Sequence, residues 1–346
     1  MVRVLYAGSP DASAKTFSLL AQNATDYEIV GVLTNPASAQ GRHKTPVPTA
    51  VATAAGERGI PVFTPEHLDA ACREQIAAIS PDILVCFAYG HIFGPKFLAL
   101  FKCGGINLHP SLLPKYRGAT PVNAAILNGD AQTGITVQRL ALAMDEGDIL
   151  VQEIVALHGM ETAGSLLDYC ALRGAELIKN VLVHCAKYGV LPNGTAQQGE
   201  ASYTKVIAKD DCRIDWGKSA KKIEAHVRAY SPVPSAWTLA DGEQLKILEA
   251  HVALGDVEHG ADGENFACEA GTTYGRKDAA WENGSAGKNL AAPSGTVLSF
   301  HKKHGIFVKT GDGMLAVTKL QKQGKKAMDA AAFMNGARNF VGMQLH

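Results

Sequence analysis

Two polar side chains lie two residues apart at the end of an apolar run. Asn107 and His109 belong to the segment GGINLHPSLLPKYRG, in which Pro110 and Pro114 turn the run into a loop. Residues i and i+2 of a β-strand point to the same face, so this amide and this imidazole are expected side by side. Such a pair can stabilise negative charge that develops on a carbonyl oxygen.

A carboxylate follows in the segment LAMDEGDIL. Asp145 lies there in a glycine-containing loop between two expected strands. A carboxylate near an imidazole orients the ring, fixes its tautomer and favours its charged form. With Asn107 and His109 it could stabilise an oxyanion and take a proton from an attacking amine, and none of the three supplies a nucleophile. The pattern indicates direct transfer between two bound substrates, and a capped turn without catalytic role is the alternative.

Other chemistries have less support in the sequence. The GxGxxG fingerprint of dinucleotide binding is absent, so we expect no nicotinamide cofactor. No second His or Cys lies at ligand spacing, so we expect no metal. The seven cysteines are scattered and lack CxxC spacing, which indicates reduced thiols.

The elements that must position these side chains follow an α/β pattern. Short apolar runs alternate with helical stretches, as in parallel βαβ units. We therefore expect a Rossmann-like, mostly parallel sheet with helices on both faces and a site at the carboxyl ends of its strands. The expected strands are residues 2–8, 28–34, 82–89 and 104–109, followed by the pair GITVQRL and DILVQEIVAL.

The composition predicts two domains. Residues 1–189 form the first, and a stretch rich in Gly, Pro, Asn and Gln at 190–205 is expected to be a linker. Closely spaced strands and turns in residues 206–346 predict a small, OB-like β-barrel with an inserted loop at about 255–292. Residues 206–346 contain 18 Lys and Arg against 16 Asp and Glu, and the insertion contains 3 against 7. The expected barrel is therefore basic, although the formal net charge of the whole chain is zero.

Hydrophobic residues make up 47% and charged residues 19% of the 346, as in ordinary globular proteins. The N-terminus enters a strand directly, and no apolar run approaches about 18 residues. We therefore expect neither export nor membrane insertion, and a cytoplasmic protein.

The same residues resemble a known family. INLHPSLLPKYRGATPVNAAILNGDAQTGITV, followed by MDEGDIL, is similar to the signature of the formyltetrahydrofolate-dependent formyltransferases. The segments GVLTNPASAQGRHKTPVP, RIDW, RAYSPVPSAW and QGKKAM resemble the branch that acts on methionyl-tRNA, and the match covers nearly the whole chain. The resemblance implies a monomeric, metal-free enzyme that transfers the formyl group of 10-formyltetrahydrofolate to initiator methionyl-tRNA.

The resemblance also implies roles for individual residues. Asn107 and His109 would bind the formyl oxygen, and Asp145 would hold His109 and help a water molecule take the amine proton. The remaining positions would bind the two substrates. The folate loop of the family matches Ser111, Leu112, Leu113 and Pro114, and the pterin would meet the backbone of Phe87, Tyr89 and Gly90. The tRNA would be contacted by Arg42, Lys44, Lys325 and Lys326.

Two kinds of alternative stay open. The same core could formylate glycinamide ribonucleotide or a sugar-nucleotide amine, or it could hydrolyse formyltetrahydrofolate. A non-catalytic tRNA-binding protein with a degenerate formyl site is the other kind, and the intact Asn107, His109 and Asp145 weigh against it.

Overall fold

Two compact units make up the structure, a computed structural model that describes residues 1–22, 24–40, 45–253, 292–337 and 339–346. The first unit comprises Met1–Ala125, Asp130–Leu157 and Ser165–Val206, and the second comprises Ile126–Gly129, His158–Gly164 and Ile207–His346. Residues 190–205, which the composition predicts to be a linker, are part of the first unit. Nearly all of the expected insertion lies outside the described residues.

Strands and helices alternate through the N-terminal part of the chain, as the sequence predicts. They are β1 (Val2–Ala7), α1 (Asp11–Ala21), β2 (Tyr27–Leu33), β3 (Ser38–Gln40), β4 (Thr45–Val47), α2 (Ala50–Gly56), β5 (Val62–Phe63), α3 (Ala70–Ala78), β6 (Ile83–Cys86), α4 (Pro95–Leu98), β7 (Gly105–His109), β8 (Arg117–Gly118), α5 (Pro121–Asn128), β9 (Gln132–Arg139), β10 (Ile149–Ala156), α6 (Ala163–Tyr188) and β11 (Tyr203–Thr204).

Seven of these strands form one sheet in the order β10-β9-β7-β6-β1-β2-β5. Neighbours from β7 to β5 are parallel, and β9 is antiparallel to both β7 and β10. In β1, Tyr6 contacts the ring of Phe17 in α1, whereas Leu5 packs in a cluster with Ile76 of α3. Because successive strand residues point to opposite faces, α1 and α3 cover opposite faces of the sheet. The predicted mostly parallel α/β sheet is therefore confirmed.

The packing of strand β7 shows to which face of the sheet Asn107 and His109 point. Leu108 packs so closely on Gly174 of α6 that any side chain at that glycine would collide with it. Asn107 and His109 therefore point to the other face, and Asn107 is the cross-strand neighbour of Cys86 at the end of β6.

The second unit is built on an antiparallel sheet in the order β12-β13-β16-β15-β14, with β17 paired to β16. Leu345 bridges Ala240 and Gln344 bridges Thr296, so the C-terminal residues pair with backbone beside both edges of the sheet. The antiparallel domain is confirmed, and the OB-like barrel stays a prediction. The elements of this part are a 3₁₀ helix (Lys209–Cys212), α7 (Ala220–Ala229), β12 (Ala236–Ala240), β13 (Glu243–Ala253), β14 (Val297–His301), β15 (Gly305–Lys309), β16 (Met314–Lys322), β17 (Met328–Asp329) and α8 (Ala330–Asn335).

Two further features concern the described ranges alone. None of the helices there is long and apolar enough to cross a membrane. The six cysteines in those ranges are buried free thiols, and Cys268 lies outside them.

Candidate active site

The three residues singled out by their chemistry meet at the carboxyl end of the sheet. Nδ1 of His109 lies 3.5 Å from Oδ2 of Asp145. Nδ2 of Asn107 donates a hydrogen bond of 3.3 Å to Oδ1 of the same carboxylate. His109 is 4% exposed, so the cluster is largely shielded from solvent. Residues far apart in the sequence therefore form one polar site, at the edge where α/β sheets usually bind ligands.

Asp145 is fixed by its own backbone and by three N–H donors. Its φ of 56° lies in the left-handed region, which Asp tolerates better than most residues do. Besides Asn107, Nε2 of Gln138 donates to Oδ1 and the backbone N–H of Gly118 donates to Oδ2, both at 2.8 Å. Gly118 has a φ of 101°, and a side chain there would meet the carbonyl oxygen of Thr204 at 2.5 Å, so only glycine suits this position.

His109 has a defined tautomer. Nε2 lies 2.9 Å from the carbonyl oxygen of Tyr116, which can only accept, so Nε2 carries the proton of the neutral ring. Burial lowers the pKa of His109 below its usual range, although the Asp145 carboxylate and the Tyr116 carbonyl oppose this shift. The lowered pKa favours the neutral ring, in which the lone pair of Nδ1 lies on the side of Asp145.

Cys86 beside Asn107 is not an alternative nucleophile. Burial raises the pKa of the Cys86 thiol to about 12, so this thiol stays protonated at neutral pH. The thiolate and not the thiol is the reactive form.

The predicted folate loop is held by hydrogen bonds from two strands. The hydroxyl of Ser111 donates to the carbonyl of Lys115 at 2.6 Å, and the hydroxyl of Thr136 donates to the carbonyl of Ser111 at 2.7 Å. Nε2 of Gln152 donates to the carbonyl of Leu113 at 3.2 Å.

The side chains of this loop also pack against the protein. Ser111 is fully buried, so its side chain lies on the inner side of the loop. Leu112 packs over Gly134 on β9, and Pro114 accepts a hydrogen bond from the backbone N–H of Ser202 at 3.3 Å.

The segment that follows β6 alternates between buried side chains and exposed backbone. Phe87 and Tyr89 are each 2% exposed, whereas Ala88 and Gly90 are exposed and have φ values of 53° and 87°. The side chains of Phe87 and Tyr89 therefore belong to the core. The N–H of Phe87 already donates to the carbonyl of Ala7 at 2.9 Å, and the carbonyl of Tyr89 accepts from Nδ2 of Asn35 at 3.2 Å. The backbone that a ligand could reach in this segment is therefore mainly that of Ala88 and Gly90.

Arg117 is engaged within the protein. Its Nε and Nη2 donate to Oε1 of Gln197 at 3.1 and 2.8 Å. Its Nη1 donates to Oε1 of Glu146 and to the hydroxyl of Tyr203, both at 2.8 Å. Nε2 of Gln197 in turn donates to the carbonyls of Asp145 and Gly147 at 2.8 Å each. Arg117 and Gln197 thus tie down the loop that carries Asp145.

The predicted tRNA contacts divide between described and undescribed residues. Arg42 and Lys44 lie outside the described residues. Lys325 and Lys326 are exposed in the turn between β16 and β17, where the Lys325 carbonyl accepts a hydrogen bond of 2.6 Å from Gln321.

Several residues that support the site escape sequence reasoning. Gln138, Gln197 and Thr136 make the hydrogen bonds given above, and Thr136 and Gln138 are buried inside β9. For Thr136 and Gln138 the available signal is their polarity within the expected strand GITVQRL, and Gln197 lies in the segment that the composition predicts to be a linker. In the ranges that the structure describes, no group of three or more His, Cys, Asp or Glu side chains could hold a metal ion.

Comparison with known families defines the class of protein. A model of the formyl transferase family matches residues 2–182, and a model of the formyl transferase C-terminal domain matches residues 206–338. The chain therefore belongs to the formyl transferase family.

Full-length relatives define the branch. The methionyl-tRNA formyltransferase of Treponema pallidum strain Nichols is 39% identical over 345 residues, which cover 97% of each chain. Because that similarity spans both domains, the branch is that of the methionyl-tRNA formyltransferases.

Two solved structures share the fold. The methionyl-tRNA formyltransferase from Clostridium thermocellum has a TM-score of 0.54 at 16% identity, covering 74% of this chain and 96% of that one. HypX from Aquifex aeolicus, solved in complex with tetrahydrofolic acid, has a TM-score of 0.57 at 14% identity and covers 98% of this chain and 48% of that one.

Proposed function

We propose that this enzyme transfers the formyl group of 10-formyltetrahydrofolate to the α-amino group of initiator methionyl-tRNA. The product, N-formylmethionyl-tRNA, serves translation initiation, and the enzyme acts as a monomer in the cytoplasm. The observation that carries the proposal is the meeting of Asn107, His109 and Asp145 in a chain whose full length resembles methionyl-tRNA formyltransferases.

Asn107 stabilises the formyl oxygen as negative charge develops on it. An amide carries two N–H donors, and one of them already donates to Asp145. Donation to an oxyanion in a site shielded from water lowers the barrier more than the same bond would in water.

His109 and Asp145 accept the proton that the amine loses. The single N–H of the neutral ring is bound to Tyr116, so Nδ1 is the basic atom, and the carboxylate of Asp145 stabilises the imidazolium that forms. This assignment differs from the expectation that His109 binds the formyl oxygen, because that role needs an N–H which the Tyr116 carbonyl occupies.

The transfer balances without a covalent enzyme intermediate. A bond forms between the amine nitrogen and the formyl carbon, and the bond from that carbon to the donor nitrogen breaks. The proton released by the amine passes through the His109–Asp145 pair to the nitrogen of the leaving folate.

The formyl donor fits the loops described above. The backbone of Phe87 to Gly90 suits the hydrogen-bonding edge of a pterin, and the loop of Ser111, Leu112, Leu113 and Pro114 supplies a surface fixed by Thr136 and Gln152. When bound, the donor supplies the activated formyl group, and these loops hold it beside Asn107.

On the acceptor side, Lys325 and Lys326 contact phosphates of the tRNA, and Arg42 and Lys44 contact its acceptor end. The exposed position of the two second-domain lysines supports the first assignment, and the family resemblance supports the second.

The test is an acceptor panel with purified enzyme and 10-formyltetrahydrofolate. Initiator methionyl-tRNA, the same tRNA uncharged, glycinamide ribonucleotide and buffer alone are offered as acceptors. Formylation of the charged tRNA alone is the expected result. Transfer to the small amine, or folate hydrolysis without an acceptor, would overturn the proposed acceptor.

A further inference from the structure

Gln138 is a buried amide at the centre of the site, and the catalytic steps proposed above give it no role. It is 2% exposed and lies directly opposite Asn107 on the neighbouring antiparallel strand. Paired residues on adjacent strands point to the same face, so both amides approach Asp145 from the sheet.

The two amides donate to the same oxygen of Asp145. Gln138 makes the shorter bond to Oδ1, at 2.8 Å, and Asn107 makes the longer one, at 3.3 Å. A carboxylate oxygen can accept two hydrogen bonds. The shorter bond makes Gln138 the closer of the two side-chain donors that hold this oxygen.

Arg117 and Gln197 determine which atom of the Gln138 amide, the nitrogen or the oxygen, faces Asp145. Arg117 has only donors, so the oxygen of Gln197 must face its guanidinium, and the Gln197 amide nitrogen must face the Asp145 loop. That nitrogen lies 3.4 Å from Oε1 of Gln138. The nitrogen of Gln138 is thereby directed to Asp145, because the reversed amide would place an oxygen against a carboxylate.

We propose that Gln138 is a positioning residue that holds the Asp145 carboxylate, with its amide oriented by Gln197 and Arg117. It keeps Asp145 beside Nδ1 of His109 while the second N–H of Asn107 donates to the formyl oxygen. This inference rests on the proposed function, since it assigns a part in the same transfer.

The test uses two substitutions of similar size. Gln138→Met removes the donor, and we expect kcat to fall roughly tenfold or more, the scale of a misplaced catalytic group, with KM for the formyl donor within about twofold of wild type. Gln138→Glu places a carboxyl group against Asp145, which raises the pKa of the new group. Its kcat relative to wild type should therefore rise as the pH is lowered from 8 to 6, because the protonated carboxyl group can donate again.

A matched control is Gln132→Met, the same change at the exposed start of the same strand. It should leave kcat and KM at wild-type values. The titration of the His109 imidazole by NMR gives a readout independent of activity, and in Gln138→Met its pKa should fall below the wild-type value, because the carboxylate is no longer held close.

The outcomes distinguish a failure of the positioning role of Gln138 from a failure of the proposed function. Wild-type enzyme that fails to formylate methionyl-tRNA refutes the proposed function. Active wild type with unchanged kcat in Gln138→Met refutes the positioning role alone. So does a loss in Gln138→Glu that is equal at every pH, and this second variant carries the test if Gln138→Met does not fold.

Discussion

At the scale of single residues, the carbonyl of Tyr116 decides which nitrogen of His109 is basic. The strand period is enough to predict from sequence that Asn107 and His109 share a face. The tautomer was beyond such reasoning, because it depends on a carbonyl whose direction follows from a φ of 61° at Tyr116. The role of Gln138 escaped for a related reason: Arg117, Gln138, Asp145 and Gln197 come together only in the folded chain.

The state of His109 can be measured directly in the free enzyme. We expect NMR of the imidazole to show an Nε2–H tautomer and a pKa below about 6.5, the ordinary value for histidine. In Asp145→Asn the pKa should fall further, because the charge that favours the imidazolium is lost. An Nδ1–H tautomer, or a rise of the pKa in Asp145→Asn, would contradict the assignment of the base.

At the scale of elements, short sequence motifs predict those structures, such as tight turns, that depend on neighbouring residues alone. The Asp241-Gly242 pair predicts a tight hairpin, and both residues have positive φ values, 51° and 77°, between β12 and β13. The segment 190–205 shows the limit of such signals. Its Gly- and Pro-rich composition suggests a linker, yet Thr195 pairs with Ile149, and Gln197 binds the Asp145 loop. A Gly- and Pro-rich composition indicates a segment without regular secondary structure, but it does not predict the hydrogen bonds that side chains of the segment form.

Helix α7 contains a buried histidine, His226, from which we predict that the second unit loses stability in acid. Burial lowers the pKa of His226, and among the described residues its Nε2 is buried without a hydrogen-bond partner. The folded-state pKa lies below the unfolded value of about 6.5, so protons bind preferentially to the unfolded chain. The stability contributed above about pH 6.5 is therefore lost progressively as the pH falls from that value through the lower pKa of the folded state.

This pH dependence is measurable by urea unfolding followed through tryptophan fluorescence at pH 7.5 and 5.5. The tryptophans of the chain, Trp216, Trp237 and Trp281, all come after residue 206 in the sequence, so the signal reports on the second unit. We expect the midpoint to be lower at pH 5.5, and His226→Gln to reduce the difference. His67→Gln, at an exposed histidine of the first unit, is the control. An equal loss in wild type and His226→Gln would show that His226 is not the sensor.

At the scale of the whole molecule, the proposed chemistry belongs to the first unit, whereas the proposed tRNA contacts divide between Arg42 and Lys44 early in the chain and two lysines of the second unit. The first unit holds all three candidate catalytic residues, and the second holds Lys325 and Lys326. The two-part organisation was predictable because the βαβ pattern gives way to short strands with turns. The exact extent of each unit was not, because residues 126–129 and 158–164 belong to the second unit although they lie early in the chain.

Replacing Lys325 and Lys326 together with alanine should weaken binding of methionyl-tRNA and reduce its salt dependence. Each lost phosphate contact lowers the slope of log affinity against log salt by about 0.7 to 0.9. The double variant Lys179→Ala/Lys187→Ala, which removes the same charge from exposed positions of α6, is the control. Equal affinity and slope in the two double variants would exclude Lys325 and Lys326 from the tRNA contact.

The measurement that most directly tests the catalytic account is single-turnover formyl transfer by Asn107→Ala, His109→Ala and Asp145→Ala with methionyl-tRNA prebound. We predict that each rate falls by roughly two orders of magnitude or more, the scale of losing an oxyanion donor or a general base. Circular dichroism and tRNA affinity should stay at wild-type values, because the three side chains act on the reacting atoms. A folded variant that binds tRNA and transfers formyl at a near-normal rate would contradict the account.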